Sequence, residues 1–416
     1  MDKFVVNGGR KLRGRVRVNG SKNAALPILI ATLLTDEACV VDNVPRLRDI
    51  RTTVRLLEIL GKRVTARGRA LIVEPAKPLC YRAPYDVVKE MRASVLVAGP
   101  LLARLGRARV PLPGGCAIGL RPVDIHVDCF KAFGAACRNE GGDLVLNGRR
   151  LHPARIRLRF PSVGATENAL MTAALLEGST FIENAAREPE IADLADFLCE
   201  MGARVSGAGT SRIRVEGRRR LRGTRHRVIP DRLEAGTLLL ACAAAGGAVT
   251  LLGAEPGHLS ALLKALARTG AVVRAGPEGL RIEARGRPTA VSVTTEPHPG
   301  FPTDLQPLWM AYMTLARGSS RIREDIFERR FLHAAELARL GARVSFHGSA
   351  VTVTGVPSLQ GAGIMASDIR AGAALVVAAL AAQGRTEIHR IYHIDRGYES
   401  LERKLRRLGA RIRRAR

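Results

Sequence analysis

The chain has 416 residues, 66 of them Lys or Arg and 38 Asp or Glu, which gives a formal charge of +28. That length exceeds the roughly 250–300 residues at which a single core stops growing, so two domains are expected. Apolar residues make up 46% and aromatics 4%, which excludes disordered and collagen-like classes and predicts cores of Ala, Leu and Val.

In chain order, a strand region near Val5 to Val18 comes first. An almost wholly apolar helix follows (NAALPILIATLL), then a strand (ACVVDN), an amphipathic helix (LRDIRTTVRLLEIL) and a second strand beginning at LGKRV. This order recurs. The apolar helices RASVLVAGPLLARL, ATENALMTAALLEG, EAGTLLLACAAAGG, TDLQPLWMAYMTLARG and RAGAALVVAALAAQG each precede a charged helix that ends in Gly. The closing motifs are LGKRV, FGAAC, MGARV, TGAVV, LGARV and LGARI, with glycines at Gly61, Gly134, Gly202, Gly270, Gly341 and Gly409. Their spacings of 73, 68, 68, 71 and 68 residues account for nearly the whole chain. Gly suits a helix end that needs a left-handed conformation. A helix apolar on all sides belongs inside a core, and the charged helices belong outside. Each unit reads as βαβαββ, and buried helices surrounded by sheets imply two domains of three units. The first strand is expected to belong with the C-terminal units.

The beginning MDKFVVNGGRKLRGRVRVNG has no apolar h-region and no small-residue cleavage site. The most apolar stretch, Ala373 to Ala382, spans ten residues, short of the roughly 18–20 needed to cross a bilayer. Seven scattered cysteines without a C-x-x-C pair argue against a disulfide framework or a zinc site. A reduced, cytoplasmic protein without a metal or cofactor is expected. The arginines are spread along the chain and aromatics are few, so the charge reads as a solvated surface rather than a nucleic-acid site; only Lys404 to Arg416 is a dense basic run. An anionic small substrate is the next reading.

Polar residues cluster where the apolar helices begin: Lys22 and Asn23, Arg92, Ser162 and Thr166, Arg232 and Glu234, Asp304, and Asp368 with Arg370. Ser, Asp and Asn there are ordinary caps. Lys22, Arg92 and Arg370 oppose the helix dipole, and cations so placed predict a site for a multiply charged anion. The second unit also carries extra length. From middle strand to Gly the others span 18–21 residues, whereas Val110 to Gly134 spans 24. The surplus lies in PLPGGCAIGLRPVDIH, a Gly/Pro-rich loop with Cys116 at its centre and Arg121 nearby, a setting that favours a reactive thiolate. Cys39, Cys129, Cys137, Cys199 and Cys242 read as small buried thiols. His126 follows Cys116 by ten residues, but nothing marks an orienting partner for a Cys–His pair. Asp368–Arg370 and Asp395–Arg396 read as plain surface ion pairs.

SKNAALP, PGGCAIGLRPVDIH, SVGAT, PDRLEAGT, HPGFPTDLQ, ERRFLH, SDIRAGAAL and IYHIDRGYE together resemble the bacterial UDP-N-acetylglucosamine 1-carboxyvinyltransferases, from Met1 to about Gly409. The resemblance implies an EPSP synthase-like fold of two inside-out α/β domains, residues 22–229 and residues 1–21 with 230–416, with the active site in the cleft between them. It also implies transfer of the enolpyruvyl group of phosphoenolpyruvate to the 3-hydroxyl of UDP-N-acetylglucosamine. Cys116 would then deliver a proton and be open to the epoxide fosfomycin. Asp304 would accept or orient the sugar hydroxyl. Lys22, Asn23, Arg121, Arg330, Arg370 and Arg396 would hold phosphoenolpyruvate, with Lys22 and Arg396 catalytic alongside Cys116 and Asp304. Arg92, Arg121, Pro122, Val123, Asp124, Ile125, Ser162, Val163, Gly164, Asp304 and Ile326 would contact the UDP-sugar, and Asp368 would orient the cleft. The chain departs from the pattern in its charge and at Phe160, where some relatives carry Lys. Three other readings remain: a 3-phosphoshikimate 1-carboxyvinyltransferase, which lacks such a loop; a paralogue acting on another uridine nucleotide; and a non-catalytic binder of nucleic acid or other anions.

Overall fold

The sixfold spacing corresponds to six copies of one supersecondary unit in a computed structural model that describes residues 2–112 and 123–416. The third copy shows the plan. A short opening strand (Arg155–Arg157) leads to a central helix (Val163–Ala173) and a middle strand (Gly178–Glu183) parallel to the first. An outer helix (Pro189–Glu200) and two strands (Arg204–Ser206 and Arg212–Gly217) in antiparallel pairing complete it.

Two compact units result, one of described residues 20–112 and 123–229, the other of residues 2–19 and 230–416. Strands distant in sequence complete the sheets. Arg225–Arg227 opens the first repeat by pairing parallel with Cys39–Asp42. Leu12–Arg17 opens the fourth beside Gly247–Leu252. Lys3–Asn7 lies between Arg385–His389 and Arg411–Ala415 in the sixth. The N-terminal strands thus satisfy edges that would otherwise stay unpaired. The second repeat departs from the expected plan: among the described residues its sheet has three strands, and an isolated parallel bridge between Arg82 and Arg109 stands in for the opening strand.

Each unit has its own core around its central helices. In Ile369–Ala381 every residue from Arg370 to Leu380 is buried, as an all-apolar helix requires. It packs against Arg232–Ala245 and Gln306–Met313, the latter carrying the buried Trp309 and Tyr312. The outer helix Arg48–Ile59 instead buries Ile50, Leu56 and Leu57 while Arg51, Arg55 and Glu58 face solvent. The six repeat glycines follow these outer helices with φ from 89° to 113°. At Gly202 and Gly270 an added Cβ would meet nothing within 4 Å, so only backbone strain opposes a side chain. Gly202→Ala should therefore cost about 1–2 kcal/mol in urea unfolding, and an unchanged midpoint would contradict that reading.

Cys39, Cys129 and Cys242 are buried, and burial pushes the Cys129 and Cys242 thiols up to about 12. Cys137 and Cys199 are only half-buried, which corrects the sequence expectation. Cys137 lies on an edge strand (Ala136–Glu140), and Cys199 sits in the last turn of its helix, where Sγ accepts from the Val205 N–H at 3.3 Å. No helix among the described residues is long and apolar enough to cross a membrane.

The strand Arg225–Arg227 is pinned by its buried His226. Nε2 is 3.1 Å from Asp193 Oδ1, Nδ1 is 3.1 Å from both Glu200 oxygens, and Phe197 packs edge-on against the ring. Asp193 also accepts the Ile229 N–H at 3.3 Å. Burial works to lower the imidazole pKa, but the hydrogen bonds and charges of Asp193 and Glu200 outweigh it, and the value rises. A raised folded value means that this stabilisation is complete below the ordinary histidine range and is lost as pH climbs through the folded value. The stability advantage over His226→Gln should shrink in urea titrations as pH rises above the ordinary histidine range. A constant difference would count against this pinning.

Candidate active site

Asp304 lies in a one-turn 3₁₀ segment (Thr303–Leu305) that leads into the central helix Gln306–Met313. Its Oδ1 accepts from Arg330 Nη2 at 2.7 Å and its Oδ2 from Arg370 Nε at 3.1 Å. The two arginine side chains are 2% and 6% exposed against 28% for Asp304, so the carboxylate is the open member of a largely buried triad. Arg370 Nη1 donates to the Tyr398 hydroxyl at 3.0 Å, which in turn meets Thr237 Oγ1 at 2.8 Å. Asp368 caps the helix Ile369–Ala381 by accepting from the N–H groups of Arg370 and Ala371. This corrects the expected Asp368–Arg370 ion pair, since the guanidinium turns to Asp304 instead. Asp395 likewise pairs with Arg414, at 2.6 Å, and the expected pairing with Arg396 gives way to it.

Arg330 Nε and Nη1 are buried and meet no acceptor among the described residues. Buried guanidinium donors without acceptors are costly, and a carboxylate or phosphate oxygen would satisfy them in charge-assisted bonds. Arg396, half-buried in the turn Ile394–Arg396, adds a further cation to the same unit. Burial pushes the His333 imidazole down to about 4, with Asp368 opposing and Arg330 adding to the shift. His393 is lowered as well, chiefly by burial. Both rings are held neutral, so the positive charge here belongs to arginines.

One positioning residue escaped the sequence reading. Glu324 is buried at the end of the strand Ser319–Arg323 and accepts from Thr295 Oγ1 (3.0 Å), Thr303 Oγ1 (2.8 Å) and the N–H groups of Ile326 and Phe327 (3.0 and 3.1 Å). It ties the turn bearing Asp304 to the segment bearing Ile326 and Arg330. An isolated Glu just after a strand carries no periodic signal, so only the long-range bonds reveal it.

The other unit holds the remaining described candidates. Ser21 caps the helix Lys22–Ala31, and the Lys22 ammonium meets Asp49 Oδ2 at 3.1 Å with both side chains nearly buried. Asn23 is half-buried beside it. Ser162 caps Val163–Ala173, with Val163 and Gly164 in the first turn. Val123 precedes Asp124–Ala132; Asp124 pairs with Arg159 and also accepts the Ile125 N–H at 2.9 Å. His126 is buried, with Nδ1 2.8 Å from Asn168 Nδ2, so that nitrogen already has a partner. Phe160 is exposed. Cys116, Arg121, Pro122 and the side chain of Arg92 lie outside the described residues. The structure therefore gathers Asp304, Arg330 and Arg370 into one cluster, and it places Lys22 with Asn23 on the other unit.

A buried arginine cluster around one open carboxylate, on a sixfold βαβαββ scaffold, defines an anion-handling α/β enzyme. The sequence pattern described as EPSP synthase (3-phosphoshikimate 1-carboxyvinyltransferase) matches residues 6–405, and the chain belongs to that family. It is similar over 414 residues to the UDP-N-acetylglucosamine 1-carboxyvinyltransferase of Solidesulfovibrio magneticus, at 53% identity and 100% of each chain. The enzymes of the same name from Elusimicrobium minutum (52%, covering 99% of this chain and 98% of that one) and Trichlorobacter lovleyi (51%, 100% and 99%) are similar as well. Among solved structures, the enolpyruvyl transferase NikO from Streptomyces tendae superposes with a TM-score of 0.89 at 26% identity, covering 100% of this chain and 99% of that one. An EPSP synthase from Acinetobacter baumannii, at 0.77 and 17% identity with full coverage of both chains, shares the fold. The expected EPSP synthase-like architecture holds.

Proposed function

We propose that this chain transfers the enolpyruvyl group of phosphoenolpyruvate to the 3-hydroxyl of UDP-N-acetylglucosamine and releases phosphate, the first committed step of peptidoglycan precursor synthesis. The observation that carries it is identity above 50% along the whole chain to three enzymes bearing that name. The sugar oxygen adds to C2 of the donor while a proton goes to C3. Loss of a C3 proton with the C2–phosphate bond then restores the double bond. Donor plus acceptor balance product plus phosphate with no change of oxidation state, so the reaction needs no redox cofactor.

Residues take roles by chemistry. Asp304, open on one side and fixed on the other, accepts or orients the proton of the sugar 3-hydroxyl. Cys116 delivers the proton to C3. Lys22, Asn23, Arg121, Arg330, Arg370 and Arg396 hold the donor carboxylate and phosphate, where fixed cations stabilise charge as it develops. Arg92, Arg121 to Ile125, Ser162 to Gly164 and Ile326 hold the nucleotide sugar. Both substrates are small anions, and the reaction belongs in the cytoplasm. Phosphate release should be followed with UDP-N-acetylglucosamine, UMP and shikimate 3-phosphate as alternative acceptors. Release with the UDP-sugar alone is the expected result. Release only with another acceptor would keep the chemistry and overturn the assigned substrate.

A further inference from the structure

The assigned reaction leaves one feature of the surface without a role. In KLRGRVR, Lys11, Arg13, Arg15 and Arg17 alternate with Leu12, Gly14 and Val16. The four cations are exposed while Leu12 and Val16 are buried, so the strand Leu12–Arg17 carries a ladder of charge on one face. Successive rungs stand about 6.6 Å apart, two residues of strand rise, comparable with the phosphate spacing of an extended nucleic-acid strand. The strand is the edge of its sheet. Across the sheet, Arg15 is in register with Thr250, Thr250 with Arg281, and Arg281 with Arg274, which continues the positive face over all four strands.

A groove of about 560 Å³ runs over this face, lined among the described residues by Lys11, Arg13, Arg15, Arg281 and Arg285 against two carboxylates, Glu278 and Glu283. Those two carboxylates pair with Arg15 and Arg281. Lys11, Arg13, Arg17 and Arg285 have no carboxylate partner among the described residues. The dense C-terminal basic run adjoins it: the Arg13 N–H donates to the Leu408 carbonyl at 2.8 Å, and Arg406, Arg407, Arg411 and Arg413 are exposed. Folding thus gathers cations from three segments far apart in sequence onto one face of this sheet.

We propose that this face binds the phosphate backbone of single-stranded nucleic acid. Guanidinium groups match phosphate bidentately. Among the described residues no aromatic side chain lines the groove, so bases gain no stacking platform, and contact goes to phosphates without sequence preference. With Lys11, Arg13, Arg17 and Arg285 each neutralising one phosphate, log affinity against log salt should have a slope of about −3, a loss of roughly 50-fold between 50 and 200 mM salt.

The probe is a fluorescein-labelled oligothymidylate of about 20 nucleotides, longer than the ~4–16-nucleotide footprints usual for such grooves, titrated with the full chain by anisotropy. The triple variant Lys11→Gln/Arg13→Gln/Arg17→Gln should bind at least about tenfold more weakly, with the slope reduced towards about −1. Its melting temperature and its phosphate release should stay unchanged, since none of the three residues belongs to the site. A charge-matched control, Arg155→Gln/Arg157→Gln/Arg212→Gln on another sheet, should bind like the parent. Equal weakening in both variants would show diffuse attraction and overturn the proposal. Binding to phosphatidylserine vesicles but not to the oligonucleotide would overturn it as well.

Discussion

Asp304→Asn is expected to lower kcat by roughly 10²–10⁴-fold, the usual contribution of a positioned acid or base. The amide preserves the size of the carboxyl group but cannot take up a proton. It also offers one acceptor oxygen where the carboxylate serves Arg330 with one oxygen and Arg370 with the other. One guanidinium would therefore face an NH₂ group. Asp304→Ala goes further and leaves two nearly buried cations without their counter-charge, which should cost up to about 3–5 kcal/mol of stability. Added phosphate should restore part of the lost melting temperature, because an anion can satisfy the same donors. Turnover near the parent value in Asp304→Asn would remove Asp304 from the proton-transfer step.

Cys116→Ser should likewise reduce turnover by about 10² or more, because a serine hydroxyl is far harder to ionise than a thiol, whose ordinary pKa is near 8.5. The same substitution should abolish covalent labelling by the epoxide fosfomycin. Peptide mapping must accompany that test, since Cys80 is exposed and is a second candidate for alkylation. Parent-like turnover in Cys116→Ser would eliminate its role as the proton donor to C3.

Much of the architecture was legible because repetition wrote it six times. Gly61, Gly134, Gly202, Gly270, Gly341 and Gly409 all adopt positive φ after an outer helix, as their place in the pattern required. Helices without a polar face, such as Ile369–Ala381, had to be central. What stays illegible is which strands pair over long distances along the chain. Lys3–Asn7, expected only to join the C-terminal units, lies beside Arg411–Ala415 in particular, and Arg225–Arg227 reaches back to Cys39–Asp42. The opening strand of the second repeat shrinks to a bridge at Arg82, which no periodicity announces.

The candidate site divides in the same way. Arg370 stood out because a cation near a helix start opposes the dipole, and its ties to Asp304 and Tyr398 give that oddity a cause. Glu324 stayed hidden because its importance lies in four hydrogen bonds to residues that no spacing rule connects. The neighbours Asp395 and Arg396 looked like a pair, yet Asp395 joins Arg414 at the end of the chain. Adjacent opposite charges predict a pair only when the backbone turns both side chains to the same side.

The most direct test of enolpyruvyl transfer is the NMR spectrum of the product formed from phosphoenolpyruvate and UDP-N-acetylglucosamine in deuterated water. Addition followed by elimination predicts an enol ether on the sugar 3-oxygen whose vinylic methylene carries deuterium, because C3 passes through a methyl group that gains one hydrogen from solvent and then loses one. Pyruvate with unaltered UDP-sugar, or an enol ether free of deuterium, would contradict the account.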